Sequence, residues 1–466
     1  MKKLLLVSAL ALVVSIAQAQ DTYPDSLAPN TSMEVDFAIE IADNLCSPAM
    51  AGRGYANNGA GVNLAANYIL DKFQEFDIAA VGGNYEQPFS VTANTFPKRM
   101  EFQFGTNYLQ PGIDFMIDPT APSIHGTFHA IVITREELGD AMIRMNKLRA
   151  ARGGFLILDN NDRSSEKTRA QTQKIEELIS KFPTDQQSGL RGIVICDSTD
   201  RSARSWWTAN KQSIRPIFHI FNPDVMQDLS LVAQVHVDVD AELVQTQARN
   251  IVGFIQGVSQ PDSFIVICCH YDHVGQMGQG YNFPGANVGA SGVATMLALA
   301  KHFKVMRPAC SMLFIAFAGD EVCEVVNGRK RELYQGVETY LRYPAISLDK
   351  TKMVIAFDMM GNGYSGIKVV NGKTNSKIVF DLNKTAQAYK FLPTVDAKMN
   401  ARLSEHYIFS ERLQERYPEK TVPSIFVYSV GGSLAYKSMD DKVPMTPFTK
   451  FKEMQSLFIR FLENYK

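Results

Sequence analysis

The sequence predicts an α/β fold: a mostly parallel central sheet with helices on both faces, interrupted by a strand-rich insertion. Three observations carry this. First, the runs 264–268, 312–317, 353–357 and 424–428 are short, continuously apolar and rich in β-branched or aromatic residues, as parallel strands buried on both faces must be. Second, helical patterns lie between them, and alternation of this kind belongs to a sheet covered on both sides. Third, from residue 97 to 244 the texture changes to strand-like runs separated by polar stretches, and the α/β pattern resumes only at Asn250.

Taken along the chain, the first helical stripe is Leu64, Tyr68, Ile69, Phe73 and Phe76. It follows two glycine-punctuated loops, Gly52-Arg53-Gly54 and Gly59-Ala60-Gly61. Inside the insertion, 130–133, 155–158, 193–196 and 217–221 read as strands. The segment 293–303 is apolar nearly all round, which marks an interior helix. Near the end, Phe451, Met454, Leu457, Phe458, Phe461 and Leu462 recur at helical spacing and predict a closing amphipathic helix. The division expected is a leader at 1–19, an α/β domain made of 20–96 and 245–466, and an inserted domain at 97–244.

The leader is read from Met1-Lys2-Lys3, an apolar stretch to Ile16, and Ala17-Gln18-Ala19, which together have the layout of a cleavable signal peptide. Export to the periplasm or the outside follows as an expectation. No stretch reaches the roughly 20 apolar residues of a membrane span. The 47 basic and 48 acidic residues leave a formal net charge of −1, which argues against a nucleic-acid partner. Arg329-Lys330-Arg331 reads as a solvated loop, and Trp206-Trp207, the two tryptophans, as loop packing rather than an exposed recognition platform. The six cysteines show no C-x-x-C spacing, and Cys268 and Cys269, adjacent on a strand, should face opposite ways.

Chemistry concentrates in four motifs: His270-Tyr271-Asp272, the run from Gly285 to Gly292 (GANVGASG), Gly319-Asp320-Glu321 and Phe357-Asp358-Met359-Met360-Gly361. His270 and Asp358 end strands, and Asp320 and Glu321 lie just past another. Residues so placed converge beyond the carboxyl ends of a parallel sheet. One imidazole with several carboxylates suits zinc. In H-x-D the second residue, Asp272, can orient the ring. Of two adjacent acids, one can ligate while the other acts as general base.

These motifs, in this order, resemble the secreted zinc aminopeptidases of metallopeptidase family 28. The resemblance takes in Met50-Ala51-Gly52-Arg53-Gly54, Asn67-Tyr68-Ile69, Gln87-Pro88-Phe89, Asn250-Ile251-Val252-Gly253, His270 to His273, Ser404-Glu405-His406-Tyr407 and Pro423-Ser424-Ile425-Phe426. It implies a three-layer α/β/α zinc-exopeptidase fold with an inserted protease-associated-like domain. It also implies two zinc ions and removal of terminal residues from peptides. On that resemblance His270 and Asp358 are ligands to one metal, Asp272 orients His270, Asp320 is the general base and Glu321 a ligand.

Two positions depart from the family pattern. The family's bridging aspartate is Asn287, a neutral amide and a weakened bridge. Its terminal histidine ligand, in Y-H-T-P-D-D, is Lys437 in Tyr436-Lys437-Ser438-Met439-Asp440-Asp441. A protonated ammonium has donors only and no lone pair to give, so Lys437 is expected to occupy the space of the missing ion and to pair with Glu321, with Asp320 or Asp358 as further partners. Related single-zinc glutaminyl cyclases use the bridging Asp, the Glu and the terminal His, of which only Glu321 remains. The function expected is an exopeptidase homologue with two-zinc chemistry lost or reduced, holding at most one zinc ion or none, and binding a peptide or protein ligand. The alternative is an active metallo-exopeptidase with one metal at His270 and Asp358, helped by Asp272, Asn287 or the acids Asp320, Glu321 and Glu324. The stretch 322–336 replaces a much shorter family connection and stands where it can close the cleft.

Overall fold

The computed structural model describes residues 33–181, 186–200, 204–326, 329–390, 394–432 and 435–465. The expected leader at 1–19 lies outside the described residues. Ahead of residue 97 the chain forms β1 (Ala79–Ala80) and β2 (Glu86–Thr95). Nine strands follow: β3 (Met100–Phe104), β4 (Asn107–Leu109), β5 (Phe115–Ile117), β6 (Ile124–Thr134), β7 (Phe155–Asp159), β8 (Gly192–Cys196), β9 (Thr208–Ala209), β10 (Ile217–Ile220) and β11 (Gln234–Val239). The remainder are β12 (Glu242–Ile255), β13 (Gln260–His270), β14 (Cys310–Phe317), β15 (Val322–Val326), β16 (Arg329–Glu332), β17 (Thr351–Phe357), β18 (Gly366–Val370), β19 (Val395–Ala397) and β20 (Ser424–Val430).

The larger sheet has nine strands in the order β1-β12-β14-β13-β17-β20-β18-β19, with β2 also on β12. The four apolar runs are its centre: β14, β13, β17 and β20 are mutually parallel. Antiparallel strands flank them, β12 on one side and β18 on the other. Cys268 enters the core on one face and Cys269 the core on the other, as the two-residue period of a strand requires. All six cysteines are free.

Helices cover both faces. On one side the interior helix Ser291–Val305 packs with Met33–Leu45 and the amphipathic Phe451–Glu463; on the other lie Gln335–Arg342 and Glu405–Arg416. Three layers result. The interior helix approaches the sheet closely at Gly292, where a Cβ would stand 2.4 Å from the Phe357 carbonyl oxygen, so its start is fixed beside Asp358. The helix Ala56–Glu75 turns its buried side through Val62, Ala65, Ala66, Ile69 and Phe73, and Leu64, read as part of the stripe, is exposed. Two residues along a helix amount to roughly 200°, which sets Leu64 away from Ala66.

A second, eight-stranded sheet runs β4-β3-β11-β6-β7-β8-β10-β5 and is built wholly from residues 100–239. The four strand-like runs of that region are its parallel members β6, β7, β8 and β10. It has its own core, in which Phe102 stacks on Phe218. A small third sheet, β16-β15-β9, joins the two parts of the molecule. Arg329, Lys330 and Arg331 are therefore not a loop but strand β16, paired antiparallel to β15. No helix among the described residues is long and apolar enough to cross a membrane.

Candidate functional site

His270 ends β13, Asp358 directly follows β17, and Asp320 and Glu321 lie between β14 and β15, all at the carboxyl edge of the parallel strands. They line one small cavity of about 40 Å³. Its other walls are Glu332, Tyr334, Met359, Leu403, Ser404, Tyr436 and Lys437. Glu332 and Tyr334 come from the 322–336 stretch, so that stretch does wall the site.

Loops at this edge are tied by Arg53, which is fully buried. Its guanidinium donates to the carbonyls of Tyr271 (2.8 Å), Leu45 (2.9 Å), Pro284 (2.6 Å), Gly285 (2.9 Å) and Val288 (3.2 Å). The rigid five-donor fork suits that task, which a lysine could not perform. Arg53 thereby fixes both the His270 loop and the glycine-rich loop.

His270 Nε2 stands 3.4 Å from Asp358 Oδ2 and 3.8 Å from Glu321 Oε1. Burial works against the imidazolium, and the Asp358, Asp272 and Glu321 carboxylates outweigh it, holding the ring's pKa well above the usual histidine value. Asp358 Oδ1 accepts from the Gly289 N–H at 2.7 Å. The orienting role expected of the Asp272 side chain is filled differently. Its backbone carbonyl lies 3.1 Å from His270 Nδ1, while the nearer carboxylate oxygen is 3.7 Å away. Its Oδ2 accepts from Tyr55 Oη at 2.7 Å and the amides of Gly319 (3.0 Å) and Glu321 (3.2 Å), which anchor the acid-bearing loop, while Oδ1, on the His270 side, has no hydrogen-bond partner.

Lys437 is buried, and its Nζ lies 2.7 Å from Glu321 Oε2 and 3.7 Å from Glu332 Oε1. Burial opposes the ammonium, but Glu321, Tyr436 and Glu332 more than compensate, so its pKa stands well above that of a free lysine. The group is a fixed cation in the site.

Asn287 faces elsewhere. Its Oδ1 accepts from the Gly361 N–H at 3.0 Å, and its own N–H donates to Asp441 Oδ1 at 2.8 Å. It does not line the cavity, so the weakened bridge expected at this position is a backbone clip. The glycine-rich loop winds through a π-type turn at Ala286–Ala290 that directs the amide to Gly361. Among the described residues no group of three or more His, Cys, Asp or Glu side chains could hold a metal ion. With Glu321 paired to Lys437 and Asn287 turned to the backbone, the residues present do not fit a pair of zinc ions.

Asp320 is 4% exposed, and neither of its carboxylate oxygens has a hydrogen-bond partner. Burial, followed by the Glu405 and Asp272 charges, pushes its pKa well above the usual carboxylate range. Glu405, fully buried at the start of Glu405–Arg416, is likewise raised by burial. The sequence placed no role on Glu405, Glu332 or Tyr334. An acid directly before a histidine in Ser404-Glu405-His406 was the one available signal for the first. Glu324, named among the assisting acids, sits on β15 and is not among the cavity walls.

Residues 250–461 match the model of peptidase family M28. That region, 250–461, is of peptidase family M28. A segment of 74 residues, 16% of the chain, is 40% identical to a probable zinc metalloprotease of Pyricularia oryzae, and that segment spans 15% of the relative's own length. The fold of the chain is also that of several solved structures. BSAP, a zinc aminopeptidase from Bacillus subtilis, superposes with a TM-score of 0.62 at 16% identity, covering 92% of this chain and 94% of that one. A peptidase M28 precursor from Shewanella amazonensis SB2B gives 0.60 at 14% identity, covering 99% and 98%. An aminopeptidase from Aneurinibacillus sp. strain AM-1 gives 0.56 at 16%, covering 92% and 93%.

Proposed function

We propose that this protein is an exported exopeptidase homologue in which two-zinc peptide hydrolysis is lost or severely reduced, and which binds a peptide or another protein. One observation carries the reading: the Lys437 ammonium stands 2.7 Å from Glu321, at the position the family resemblance gives to the terminal histidine ligand. Zinc is the metal that the family and the Bacillus subtilis aminopeptidase suggest, with at most one ion held here. The Lys437 ammonium is engaged by Glu321 and so is not free to polarise a peptide carbonyl. Export rests on the leader at 1–19. The separate eight-stranded sheet supports reading 97–244 as an inserted domain of the protease-associated kind.

The purified wild-type protein, given aminoacyl reporters with and without added zinc, is expected to release no amino acid above the level left by a chelator. Robust cleavage abolished both by chelator and by His270→Ala would establish an active enzyme instead.

A further inference from the structure

The ion pair at the centre of the site is held from outside the nine-stranded sheet. Lys437 sits in the left-handed backbone region, φ +50°, which an L residue other than glycine adopts only where its surroundings enforce it. Those surroundings include the segment 205–209, between β8 and β10. Ser205 Oγ donates to the Tyr436 carbonyl at 2.7 Å, and the Trp206 N–H donates to the Lys437 carbonyl at 2.9 Å. The Trp207 ring lies 5.4 Å from Lys437 Nζ and 3.9 Å from Lys330 Nζ. Two residues beyond Lys437, Met439 packs on the core of the eight-stranded sheet. It fits there because residue 112 is glycine, where a Cβ would meet its sulfur at 2.1 Å.

The same segment grips the other partner. Thr208 and Ala209, as β9, pair in parallel with Val322 and Cys323, which directly follow Glu321. The Asn210 N–H donates to the Cys323 carbonyl at 3.0 Å. Trp206 anchors the whole segment: it is 2% exposed, its indole N–H donates to the Ile117 carbonyl at 2.9 Å, and its ring lies against Phe96 and Phe283. One short run thus touches the backbone on both sides of the Lys437–Glu321 pair.

We propose that the segment 205–209 is a clamp that sets the Lys437 ammonium on Glu321, with Trp207 as its positioning residue. The region 97–244, rather than the nine-stranded sheet alone, then decides whether the site presents an ammonium or lies open to a dication. The second part rests on the reading that Lys437 stands in for a metal; the first does not. An aromatic face attracts an ammonium most strongly when both are shielded from water. Two main-chain hydrogen bonds fix the loop so that the side chain reaches Glu321.

The test uses the full chain carrying Trp207→Ala, Trp207→Phe or Ser205→Ala, with Lys437→Ala as reference. Acylation of Lys437 by N-hydroxysuccinimide acetate is followed by peptide mass spectrometry, with the exposed Lys377 as internal standard. Trp207→Ala is expected to raise Lys437 labelling about tenfold. Trp207→Phe should return it towards wild type, with Lys377 unchanged. Zinc affinity, measured against a chromophoric chelator, should rise by about tenfold in the same alanine variant. If Trp207→Ala does not fold, Ser205→Ala, which removes one hydrogen bond, decides. Labelling within about twofold of wild type in the folded variants overturns the clamp, whatever zinc does. Increased labelling with no gain of zinc affinity, even in Lys437→Ala, keeps the clamp and removes the displaced-metal reading.

Discussion

Replacing Lys437 by alanine is expected to destabilise the fold by about 3–5 kcal/mol and to increase its affinity for zinc. The size follows from burial. Lys437 and Glu321 are both nearly inaccessible, and truncating one partner of such a pair leaves a buried charge with nothing to oppose it. Glu332, also within reach of the ammonium, loses part of its balance as well. Protonation of Glu321 limits the penalty at low pH, so the loss should be measured near pH 8 by urea unfolding of wild type and variant. The gain of zinc affinity has the same cause, since a carboxylate freed of its ammonium regains its lone pairs for a metal. A loss below about 1 kcal/mol, the range of exposed pairs, would mean that the ion pair does not hold the site together.

The triple change Asn287→Asp, Lys437→His and Asp320→Glu is expected to tighten zinc binding by about a hundredfold relative to wild type, the order that supporting groups alone command in metal sites. Lys437→His replaces a group without a lone pair by one that has one. Asn287→Asp adds a negative charge and keeps an oxygen for the Gly361 N–H. Asp320 lines the cavity, so the longer glutamate extends into space already present. Turnover on aminoacyl reporters should remain far below zinc uptake, because Glu332 and Tyr334 still wall the cleft. Competition against a chromophoric chelator gives the affinity, and unchanged binding in a folded triple variant would show that the lost ligands are not what keeps zinc out.

Much of this site could be read from the chain because it lies at strand ends. His270, Asp358, Asp320 and Glu321 are placed by three of the four central strands, β13, β17 and β14, and an apolar run followed by a polar residue is a strong local signal. Lys437 was legible as a cation where a lone pair is needed, and so was its pairing with Glu321. Its second partner was not: Glu332, rather than Asp320 or Asp358, reaches it, because a hairpin whose course no local pattern specifies brings that acid across. Side-chain direction was equally hidden. Asn287 turns to Gly361 and the Asp272 carboxylate to Tyr55, each drawn by backbone or hydroxyl donors from distant segments. Trp206 and Trp207 divide between core anchor and a ring facing the Lys437 ammonium, as neighbours on an extended segment do. Nothing in a pair of adjacent tryptophans says which is which.

The most direct measurement is the zinc content of the wild-type protein, by elemental analysis of material purified without added metal and again after incubation with zinc. Lys437 in the ligand position and Asn287 turned to the backbone predict clearly fewer than two equivalents bound at the site in both samples. Two tightly held zinc ions per chain would contradict the account, since they could bind only if the Lys437–Glu321 pair gives way.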